Sequence, residues 1–90
     1  MNDISKQEPL MQFPCVFPVK VMGLNSEAFT SAVLAILHRH LGPDQISWSE
    51  QLSRSNKYLS LTVTFTAKSK DQLDAIYQEL HDHELVLMTL

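Results

Sequence analysis

Ninety residues, 44% of them apolar and with a single cysteine, describe one small domain with a modest core. A formal charge of -3 argues against a general nucleic-acid binder, which needs a basic surface. No run of about 18 apolar residues exists to span a bilayer, and Cys15 alone forms neither an internal disulfide nor a cysteine metal cluster.

Residues 1–12 lack a basic stretch and a long apolar segment, so a flexible arm is expected there rather than a secretory signal. The domain is expected over residues 13–90. Pro14 and Pro18 suit an extended lead-in and oppose a central strand at that point. Phe17, Val19 and Val21 then alternate with Pro18, Lys20 and Met22, which predicts the first strand. Gly23 marks either an unusual backbone conformation or a close approach. Asn25 or Ser26 caps a helix over residues 27–40, with Glu27 at its positive end. Phe29, Val33, Ile36, Leu37 and His40 form its stripe, and Gly42-Pro43 ends it.

A weaker strand follows at residues 46–54, with Ile46, Trp48 and Leu52 on one face and Glu50 interrupting. Trp48 is expected in the core, on the helix-facing side of an edge strand; exposed, it would be a partner anchor. Arg54-Ser55-Asn56-Lys57 makes a hairpin link. Residues 58–67 alternate almost without a break: Leu59, Leu61, Val63 and Phe65 on one side, Ser60, Thr62, Thr64 and Thr66 on the other. Only a strand has that period. Ser69 with Gln72 fits a capping box, and Leu73, Ile76, Tyr77 and Leu80 give a second helical stripe. Residues 84–90 read as a last strand, apolar on both faces apart from Thr89.

The order β-α-β-β-α-β predicts an α+β, ferredoxin-like fold. Its sheet is one antiparallel layer in the order 4-1-3-2, with both helices on one face. The open face would carry Lys20, Met22, Ser60, Thr62 and Thr64, with Tyr58 as its one aromatic. RNA-recognition modules of the same order stack bases on aromatics there, so that reading is disfavoured.

Several segments carry a resemblance to a known family. They are Phe13-Pro14, Phe17-Pro18, Lys20-Val21-Met22-Gly23, Tyr58 with the Ser60/Thr62 alternation, the run from Leu73 to Leu80, and the apolar last strand. On these the chain resembles the YbeD-like family of small bacterial proteins, from about Phe13 to Leu90. The resemblance implies a ferredoxin-like fold similar to ACT regulatory domains, and an accessory role in lipoate or other cofactor metabolism. It brings no catalytic residues with it.

The candidate ligand residues are Lys20, Gly23, Asn25 and Ser26, because free N–H groups at a helix N-terminus suit a carboxylate or phosphate. His38, His40, His81 and His83 invite a metal. Histidines two apart on a helix diverge, however, and no metal or other cofactor is expected. Cys15 has no basic neighbour in sequence and is read as a buried or idle thiol. No nucleophile triad, phosphate loop or other catalytic constellation is recognisable, so an enzyme is not expected. Val86, Met88 and Leu90 leave apolar groups on an edge strand, which predicts a homodimer through that strand or through the open face. The expected protein is a cytoplasmic, non-catalytic regulatory or interaction module, with no nucleic-acid or membrane partner. The alternative is a sensor of amino-acid-like or anionic metabolites.

Overall fold

In a computed structural model, residues 12–43 and 45–90 are described; the expected N-terminal arm falls almost wholly outside them. The elements run β1 (Cys15–Leu24), α1 (Glu27–Leu41), β2 (Ser47–Leu52), β3 (Tyr58–Ala67), α2 (Lys70–Asp82) and β4 (Val86–Thr89). The four strands form one sheet in the order β2-β3-β1-β4, every neighbouring pair antiparallel. This is the expected ferredoxin-like sandwich, with both helices packed on one face of the sheet.

The core follows the two periodicities. From the strands, Val19, Val21, Leu59, Leu61, Val63, Phe65 and Ala67 are buried on the helix side. Phe29, Val33, Ile36, Leu37 and Leu41 meet them from α1, and Leu73, Ile76 and Leu80 from α2. Each fully buried side chain of this size contributes roughly 1.5–3 kcal/mol through lost apolar hydration. Both helices begin on a serine whose extended backbone frees its hydroxyl. Ser26 Oγ accepts from the Phe29 N–H at 3.1 Å, and Ser69 Oγ accepts from the Gln72 N–H at 3.0 Å. Gln72 returns the bond one residue early, accepting from the Lys68 N–H at 2.8 Å. At the other end of α1, Gly42 takes a positive φ of 65° and donates its N–H to the His38 carbonyl.

Two expectations are corrected. The first concerns β1, a central strand that begins at Cys15 and contains Pro18. Lys20 and Leu90 exchange backbone hydrogen bonds, so even-numbered residues of β1 turn their backbone groups toward β4. β4 reaches no further than Lys20 along β1. Among the described residues, Pro18 therefore has no ladder partner on that side, and its missing N–H breaks no bond of this sheet. The second concerns Trp48, which is not in the core. It lies opposite Val63 on the helix side, as expected, but is 42% exposed. α2 lies chiefly against β4, while β2, at the opposite edge of the sheet, leans chiefly on β3.

Candidate functional site

Gly23 is buried in β1 beside the N-terminus of α1. A Cβ there would stand 2.5 Å from the Phe29 ring and 2.6 Å from the Leu85 carbonyl. Close approach, not a left-handed backbone, explains this glycine. The residues after it are tied into the fold. Asn25 donates from its side chain to the Asn56 carbonyl at 3.0 Å and from its backbone to the Lys57 carbonyl at 2.9 Å. Ser26 is occupied as the cap. The hollow beside this turn, about 310 Å³, is lined by Ser26, Glu27, Thr30, Ser31 and Glu50 among others. Its two carboxylates oppose an anion.

Lys20 lies elsewhere. It stands on the open face, in a hollow of about 320 Å³ with Met22, Gln51, Ser53, Tyr58 and Ser60. The Lys57 ammonium sits 5.5 Å from the centre of the Tyr58 ring at one end of that face. Of the four candidate ligand residues, Asn25 and Ser26 line one hollow and Lys20 lines another on the opposite face of the sheet, while Gly23 is buried and lines neither.

The last strand divides as well. Val86, opposite Gly23, packs against the core, whereas Met88, opposite Met22, is 49% exposed and Leu90 is 63% exposed. Val16 and Leu24 of β1, at 70% and 50% exposed, extend the same apolar surface along the open face. Among the described residues, Lys20 is the one charged side chain that the strands present there.

Two features escaped sequence reasoning. Glu79 of α2 ties the helices together: it accepts from Arg39 and, at 2.7 Å, from His40 Nε2. The stripe placed His40 toward a neighbour but could not name a partner 39 positions away. Tyr77 rests edge-on against Phe17, ring centres 6.5 Å apart, and donates to the Leu90 carbonyl at 3.3 Å. Burial raises its hydroxyl above the usual tyrosine value of 10.0. Cys15 is half-buried against the core, and no group of three or more metal-ligating side chains is gathered among the described residues. Among those residues, no helix is long and apolar enough to cross a membrane.

Comparison with known proteins agrees with this architecture. The chain is 44% identical to UPF0250 protein NE1487 of Nitrosomonas europaea, covering 93% of this chain and 98% of that one. It is 40% identical to a UPF0250 protein of Leptothrix cholodnii over the whole of both chains. Among solved structures it is similar to protein HP0495 of H. pylori, with a TM-score of 0.82 and 21% identity over 100% of this chain and 94% of that one. It is also similar to the ACT domain of GTP pyrophosphokinase from Chlorobium tepidum, with a TM-score of 0.63 and 12% identity over 83% and 94%. At these identities the structural likenesses concern the fold alone. The profile described as a protein of unknown function, DUF493, matches residues 8–90, and the chain belongs to that family of UPF0250 proteins, in agreement with its YbeD-like sequence features.

Proposed function

We propose that the protein is a non-catalytic regulatory or protein-interaction module of the cytoplasm, acting as a homodimer joined across the open face of its sheet and its C-terminal strand. The observation that carries this reading is the exposed apolar surface of Val16, Leu24, Met88 and Leu90 around Lys20. Apolar surface of this kind, bordered by hydroxyls, is characteristic of protein contacts. Among the described residues, the face supplies no cluster of acids and bases for chemistry and no aromatic row for bases. Light scattering after size exclusion tests the proposal: a dimer that Met88→Glu converts to monomer supports it, and a wild-type monomer at high concentration defeats it.

The Lys20 hollow favours a second reading, a sensor for a carboxylate metabolite. Gln51, Tyr58 and Ser60 add donors beside the ammonium, and the Chlorobium likeness is to an ACT domain. A ligand that binds only the folded chain raises its melting temperature by mass action. A thermal-shift screen of amino and dicarboxylic acids should then show a shift that Lys20→Met abolishes.

A further inference from the structure

We propose that the outer edge of β2 docks an extended segment of a partner protein carrying a basic side chain, a contact separate from the dimer surface proposed above. Among the described residues, the edges of this sheet that no strand pairs differ in their protection. Along residues 15–19 of β1, on the side toward β4, Pro18 lacks a donor. β4 is only four residues long. β2 has six residues, every one exposed, with no proline and no lysine to discourage pairing. The Ser53 N–H donates to the Tyr58 carbonyl at 2.9 Å, so Ser53, Gln51 and Ser49 turn their backbone groups toward β3. By strand alternation, those of Trp48, Glu50 and Leu52 point outward.

The same three residues raise their side chains on the helix side, opposite the core residues Val63, Leu61 and Leu59. Trp48 and Leu52 are 42% and 44% exposed at this edge of the sheet. An incoming strand would therefore meet an unpaired ladder and two apolar anchors together. Glu50, between the anchors, shares its hollow with Glu27 and the hydroxyls of Ser26, Thr30 and Ser31, and among the described residues no basic side chain lines that space. Charge thus selects the occupant: an arginine or lysine at the position facing Glu50. A second copy of β2 fits poorly, since the dyad that matches Trp48 with Leu52 sets Glu50 against Glu50.

The test is a titration of the isotope-labelled full chain with synthetic heptapeptides, followed by amide NMR. The first probe is Thr-Val-Thr-Arg-Thr-Val-Thr, which sets arginine against Glu50 and a valine against each anchor. The second is the same peptide N-methylated at the arginine and both valines, and the third has glutamate in place of the arginine. With the first, shifts should concentrate on Trp48, Glu50 and Leu52 and on the Trp48 indole. Binding should weaken about tenfold in Glu50→Gln, as expected for loss of a charged contact, and with the acidic peptide. The methylated peptide should not bind. Absence of binding by the first peptide, equal binding by the acidic or methylated one, or shifts centred on Lys20 and Met88 would overturn the proposal. So would concentration-dependent shifts of the β2 amides without peptide, which would make the occupant a second copy. Met88→Glu should leave peptide binding unchanged, so failure at β2 and failure of the dimer are read separately.

Discussion

At the scale of single residues, Gly23 and Tyr77 carry the sharpest consequences. Gly23→Ala forces a methyl onto the Phe29 ring and the Leu85 carbonyl, and the carbonyl belongs to backbone that cannot rotate aside. Overpacking of this kind should cost about 1–3 kcal/mol, read as a lower urea midpoint at unchanged slope. Tyr77 titrates above the usual 10.0 because burial disfavours its phenolate. In the folded chain the proton is held more tightly than in the unfolded chain, so the stability this provides is complete below pH 10.0 and is lost as pH rises through the folded value. Wild-type melting temperature should accordingly fall above that pH more steeply than that of Tyr77→Phe.

At the scale of elements, the two serine caps are the simplest test of local structure. Ser26→Ala and Ser69→Ala should each cost about 1 kcal/mol in denaturant unfolding, while a drop well below 0.5 kcal/mol would show that the caps are incidental. β3 was legible to the residue because its two faces differ in chemistry as well as in direction. β1 was not, because the penalty for proline in a ladder depends on whether a neighbour is there, and β4 stops at Lys20. Trp48 shows a similar limit. Period two determined which face it occupies, but its burial depends on how far α1 and α2 reach across the sheet, a matter of packing. The bond of Glu79 to Arg39 and His40 is tertiary and left no local pattern. At Gly23 the sequence offered two explanations, and the position of Phe29 decides between them.

At the scale of the whole molecule, the sheet separates two surfaces of unlike chemistry. One is the open face, apolar around Lys20; the other is the β2 edge, apolar around Glu50. A dimer across the first leaves the second free in both copies, as suits a small adaptor that presents paired binding edges. The candidate site was only partly legible for the same reason: Lys20 and the Gly23 turn are neighbours in sequence and lie on opposite faces in the fold. The most direct measurement of the central claim is the solution mass by light scattering across a wide concentration range. The account predicts twice the 10.2 kDa of the chain, with Met88→Glu and Leu90→Glu returning it to one chain. A wild-type mass of 10.2 kDa at every concentration up to the millimolar range would contradict it.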